Sequence, residues 1–225
     1  MRISPEVLKG PSPEVDDSWR LFLDPAELRT NLITASIYIA GFETLKSTIT
    51  GRIRDFFWTG WDHKTGDIVS ESYNTKVLDL DPKRRVYEAS LAWLKQMSVI
   101  DDADLAKLKV VTDLRNEMAH KMVSIASEGV PAHCEQRLGD MIRLLHKIEV
   151  WWIRNVEMEI NPDFCDPAAK DEDMHPGSVI TLQMMTQIAL GTEDEAREPL
   201  AEYIKRYGPA ASKSKWPGTD APPEL

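Results

Sequence analysis

Between residues 25 and 56 the chain carries Leu28, Leu32, Ala35, Ile39, Phe42, Leu45, Ile49, Ile53 and Phe56, apolar residues spaced three or four apart. That spacing holds for about eight turns and describes one face of a long helix, the face that must be buried. Asp24-Pro25 marks its start, an N-cap followed by the residue that tolerates the first helical position. Gly41 interrupts the pattern and marks either a close helix crossing or a bend. Strand-like alternation is absent over any useful length and no internal repeat occurs, so the chain is read as all-α.

The same spacing predicts further helices. Asp81-Pro82 repeats the cap-and-proline device and predicts a second helix carrying Val86, Leu91, Trp93, Leu94 and Met97. Asp101-Asp102 caps a third, expected over residues 102–127. A fourth runs over 132–160 with Leu138, Met141, Leu145, Ile148, Trp152 and Val156 as its stripe; Trp151 beside Trp152 widens that arc enough for a second neighbour or a dimer partner. Residues 60–81 are expected to form a long loop. The resulting organisation is an irregular leader over 1–24, docked by Trp19, Leu21 and Phe22, and a helical bundle over 25–160. A C-terminal helical appendage over 161–209 contains helices near 179–190 and 192–207, and a disordered tail covers 210–225.

Composition narrows the function classes. Of 225 residues 42% are hydrophobic and 28% charged, which describes a globular chain. A net charge of −10 argues against a surface built for general nucleic-acid binding, so any RNA contact must be local. Cys134 and Cys165 have neither paired spacing nor companion histidines, which suggests no disulfide framework, no metal site and no cofactor. The first residues lack the apolar core of a signal peptide and no apolar run reaches membrane-spanning length; the expectation is a soluble cytoplasmic protein without membrane contact.

The stretch Asp113-Leu114-Arg115-Asn116-Glu117-Met118-Ala119-His120 carries the chemistry. Val111, Leu114, Met118, Met122 and Ile125 form the apolar face of its helix. Thr112, Asn116 and His120, four apart, line up on the opposite side, with Arg115 beside them. The residues RNEMAH resemble the R-x4-6-H signature of the HEPN superfamily, all-helical domains of which many are metal-independent ribonucleases. Asn116 stands where that family commonly has a polar residue after the arginine, and the resemblance covers residues 25–160. It implies a HEPN-like antiparallel bundle and a homodimer with one composite active site of Arg115, Asn116 and His120. It also implies an endoribonuclease acting as a toxin or anti-phage abortive-infection effector, restrained by an antitoxin or other regulatory partner.

That chemistry is self-consistent. The 2′-hydroxyl of RNA attacks the adjacent phosphorus, which requires a group moving protons near neutral pH and a cation facing the charged transition state. Histidine and arginine suit those two tasks, and an amide orients without titrating. Glu43 and Lys46, three apart, form either a surface ion pair or a pair facing the histidine or the substrate phosphate. Lys83, Arg84 and Arg85, the densest basic cluster, are expected in the first turn of a helix, where they oppose its dipole; they are phosphate-facing, a solvated helix end or a partner contact. Trp58 and Trp61 either pin the following loop or stack on bases. The alternative to an enzyme is a HEPN-type interaction module that keeps the polar stripe without chemistry and binds nucleotide or a partner protein.

Overall fold

The computed structural model describes residues 13–161, 166 and 168–208. Its longest element is the helix at Pro25–Phe56 (α2), preceded by Pro13–Leu23 (α1). Asp24 separates the two and caps α2, its carboxylate accepting from the Ala26 amide at 2.8 Å and from that of Glu27. Of the apolar stripe of α2, Ala35, Phe42, Leu45, Ile49 and Ile53 are buried, with Tyr38 beside them, whereas Leu28, Leu32 and Ile39 are half-buried and Phe56, at the end of the helix, is exposed. Around it pack the helices Val86–Gln96 (α4), Asp102–His120 (α5), Met122–Glu128 (α6), Cys134–Trp152 (α7) and Gly177–Leu190 (α9). One main core results, in which each enclosed aliphatic side chain contributes about 1.5–3 kcal/mol of transfer free energy. Among the described residues the fold is all-α apart from one small hairpin. No helix among the described residues is long and apolar enough to cross a membrane.

The hairpin lies where a loop was expected. Trp58–Asp62 (β1) pairs antiparallel with Gly66–Val69 (β2), and the Asp62 carboxylate accepts from the amides of Lys64 and Thr65 to close the turn. Gly66 takes φ +77°, which a residue with a side chain rarely adopts. A short helix at Glu71–Lys76 (α3) and a 3₁₀ turn at Leu78–Leu80 fill the remainder of 60–81. Trp58 and Trp61 do not pin this segment to the core. Both are exposed, and the Trp58 indole donates to Asp67 at 3.3 Å.

The leader is helical from Pro13, because α1 packs on α6 and on the start of α2; residues 1–12 lie outside the described residues. α7 does not end at Trp152 but passes through a π turn at Ile153–Glu157 into Met158–Ile160 (α8). Trp152 enters the main core, whereas Ile153 joins Val150 and Met174 in a second small cluster. Trp151 and Trp152 do not form a free apolar arc. Trp152 stacks on Trp93 with centroids 5.8 Å apart, Trp151 meets both edge-on, and Phe56 sits 5.8 Å from Trp152.

The C-terminal helices are those the sequence predicts, α9 and Glu193–Tyr207 (α10), the latter with a Thr192–Glu195 capping box. α9 is part of the core through Val179 and Leu182. Gly41 marks a close crossing, since a Cβ there would stand 3.2 Å from a Leu182 methyl and 3.3 Å from the Met141 methyl. The expected tail over 210–225 and Cys165 lie outside the described residues.

Candidate functional site

α5 begins at a reciprocal capping box, Asp101 accepting from the Asp104 amide at 2.8 Å and Asp104 from that of Asp101 at 3.2 Å. Val111, Leu114 and Met118 are buried, which fixes the rotation of the helix. Asn116 and His120 are therefore exposed on its far side, and Thr112, half-buried, donates its hydroxyl back to the Leu108 carbonyl at 2.8 Å. One expectation changes. Residues 102–127 are not one helix: α5 ends at His120, the backbone leaves helical geometry at Lys121 with φ −113° and ψ 29°, and α6 begins at Met122. Met122 and Ile125 still reach the interior, so the apolar spacing runs across the break without showing it. The consequence is that His120 stands at a corner. Its ring has no hydrogen-bond or ion-pair partner among the described residues.

Arg115 is held far more firmly. Its Nη2 donates to Glu43 Oε1 at 2.5 Å, its Nη1 to Asn116 Oδ1 at 3.3 Å, and the guanidinium carbon lies 5.5 Å from the centre of the Phe42 ring. Nε is enclosed without a hydrogen-bond partner. The structure thus brings Glu43, Arg115 and Asn116 into one contact group, with His120 one turn beyond Asn116. Glu43 faces the arginine rather than the histidine and is not paired with Lys46. Lys46 Nζ lies 6.0 Å over the ring of Tyr87, whose phenol is pushed up to about 12 by burial and stays protonated at neutral pH.

The basic cluster sits ahead of a helix rather than inside its first turn. α4 starts at Val86, and residues 82–85 form a turn in which Arg84 has φ 53°. Asp81 organises that turn, accepting from the Lys83 and Arg85 amides and from the Arg85 guanidinium at 2.9 Å. Arg84 bonds Asp79 at 2.6 Å and Asn74 at 3.1 Å, while Arg85 also reaches Glu88 at 3.0 Å. The conflict with the helix dipole is relieved, because Arg84 and Arg85 precede the helix and are engaged by carboxylates, Asp79 and Asp81 ahead of it and Glu88 in its first turn. The Lys83 side chain is exposed and has no hydrogen-bond or ion-pair partner among the described residues. No hydrogen bond or ion pair among the described residues links this cluster to Arg115, Asn116 or His120.

A second polar group escaped the sequence reading. Glu149, within the apolar stripe of α7, is buried and accepts from Arg52 Nη2 at 2.6 Å, Thr48 at 3.3 Å and Ser178 at 2.9 Å; Arg52 also reaches Glu157 at 2.7 Å. The signal was there, an acid between Ile148 and Val150 on a buried helix. A cavity of about 320 Å³ lies beside it, lined by Arg52, Glu157, Asp173 and His175. Every carboxylate in the network has a cationic or hydroxyl partner, as expected of a clamp joining α2, α7 and α9. His146 is likewise structural, its Nε2 lying 2.9 Å from the Met174 carbonyl. Among the described residues no group of three or more His, Cys, Asp or Glu side chains is arranged to hold a metal ion.

Compared with family models, with curated proteins and with solved structures, the chain matches none.

Proposed function

We propose that the chain is a HEPN-type endoribonuclease that works as a homodimer and cleaves RNA by 2′-hydroxyl attack, leaving a 2′,3′-cyclic phosphate and a 5′-hydroxyl. One observation carries this reading. Arg115, Asn116 and His120 occupy the open side of a helix whose other side, Val111, Leu114 and Met118, is sealed in the core. His120 transfers the proton, Arg115 faces the phosphate oxygens and Asn116 orients its neighbours. Five residues turn about 140° around a helix, so Arg115 and His120 of one copy diverge. A two-fold partner supplies the missing member of each pair, which makes the cleft composite. The charge of −10 limits general RNA affinity and leaves selection to the cleft or a partner, as suits a toxin or abortive-infection effector under the control of an antitoxin.

The test is cleavage of single-stranded RNA by the purified protein in EDTA, with the ends identified chemically. His120→Ala and Arg115→Ala each abolish cleavage while circular dichroism and sedimentation stay those of the parent. Cutting at the parental rate by either variant overturns the assignment.

The Glu43–Arg115 contact favours a second reading, a HEPN-type module without catalysis that binds nucleotide or a partner protein, since a carboxylate already occupies one edge of the guanidinium. A parent protein that binds labelled nucleotide or RNA without cutting it in the same assay selects this alternative.

A further inference from the structure

α10 is anchored at one end only. Ala196 and Pro199 are half-buried, and Gln187 on α9 donates to the Glu195 carbonyl and the Glu198 carboxylate, both at 3.0 Å. From Leu200 to Tyr207 every residue is exposed. Yet this half is amphipathic: Leu200, Tyr203, Ile204 and Tyr207 recur at helical spacing, with the two tyrosine rings 4.9 Å apart. A helical half of this length has little stability without packing, so the stripe calls for a surface to cover it.

Among the described residues an apolar groove is also left unfilled. α1 and α6 flank a cavity of about 630 Å³ lined by Val15, Trp19, Phe22 and Val123, with Glu128 at its edge. Val123 is 81% exposed and Trp19 56%. α6 has seven residues, about 10 Å of helix, close to the roughly 12 Å of the eight residues from Leu200 to Tyr207. The charges match too. Exposed Glu128 lines the groove, while Arg206 and Lys205 flank the stripe, the latter also paired with Glu202 at 3.2 Å, on a chain whose overall charge otherwise drives copies apart.

We infer that α10 of one copy docks in the α1–α6 groove of a second copy. Reciprocal exchange leaves neither apolar surface open and closes the assembly at two subunits. The inference takes the homodimer from the proposed function and names its surface; it uses none of the nuclease chemistry. Val123 follows His120 by three residues, so the docked copy stands beside the candidate catalytic helix.

Sedimentation equilibrium on the full chain tests this with Ile204→Glu on the helix and Val123→Glu in the groove, both at exposed positions, thermal melting confirming that each variant is folded. The parent is a dimer, and each variant dimerises about a hundredfold more weakly, the scale of a hot-spot lesion. An equimolar mixture of the two regains a dimer, because the intact helix of the Val123→Glu copy meets the intact groove of the Ile204→Glu copy. A monomeric parent, variants that dimerise as the parent does, or a mixture that stays monomeric each overturn the inference. RNA cleavage by the parent in EDTA is scored separately, so loss of this docking mode and loss of the nuclease reading are told apart.

Discussion

Glu43 and Arg115 join α2 to α5 through a 2.5 Å ion pair on the surface that also carries Asn116 and His120. A phosphate arriving at Arg115 competes with that carboxylate for the same donor. Glu43→Gln is expected to raise the affinity for a labelled RNA oligonucleotide about three- to tenfold at low salt, read by fluorescence anisotropy. The cost in stability stays below about 1 kcal/mol because both side chains are partly solvated. Unchanged or weaker RNA binding would show that Glu43 supports the site rather than competing within it.

The buried clamp behaves differently. Glu149→Ala strands part of the charge of Arg52 and leaves Thr48 and Ser178 without their acceptor. A loss of about 3 kcal/mol is expected. In a chain of this size that corresponds to a melting temperature lower by roughly 10 °C. A shift of only a degree or two in calorimetry would count against the network as a structural element.

Trp93 lies at the centre of the aromatic cluster, between Phe56, Trp151 and Trp152. Trp93→Ala should cost about 3–5 kcal/mol and remove most of the near-ultraviolet circular dichroism. Retention of that signal would place the dichroic contacts elsewhere.

Asp81 gives an acid-side signature. Hydrogen bonds from the Arg85 side chain and amide hold its carboxyl down to about 2, against an ordinary value of 3.8. A depressed folded-state pKa contributes stability that is present above the unfolded value and is lost as pH falls from about 4 through about 2. Asp81→Asn should therefore lower the urea midpoint at pH 7 and flatten its dependence on pH below 4. Parallel pH profiles for parent and variant would sever this link.

Cys134 is buried, and burial pushes its thiol up to about 11. At pH 8 it should resist iodoacetamide in the native protein and react once urea unfolds it, as followed by peptide mass spectrometry. Rapid native labelling at this position would mean that the start of α7 opens readily.

Much of the architecture was legible because helix formation is local. The spacing of Leu28 to Phe56 and the caps at Asp24, Asp101 and Thr192 follow from neighbours in sequence, whereas at Gly41 it is the packing of Leu182 and Met141 that decides for a close crossing over a bend. The outward placement of Asn116 and His120 followed in the same way, from the phase set by Leu114 and Met118. The hairpin was less visible, since β1 and β2 have five and four residues, too few for alternation to stand out. Its turn was nevertheless marked by Asp62 and Gly66.

The sequence by itself determined which faces are apolar and where most helices start, because rotation per residue and capping chemistry are properties of a short segment. Only the tertiary structure decided that the helix breaks after His120, that Glu43 meets Arg115 rather than Lys46, that Arg84 and Arg85 turn to carboxylates, and that Trp151 and Trp152 face their own chain. Each of those outcomes depends on groups brought together from distant elements. Which partner a charge or ring finds is set by packing across the bundle, and periodicity along one helix carries no information about it.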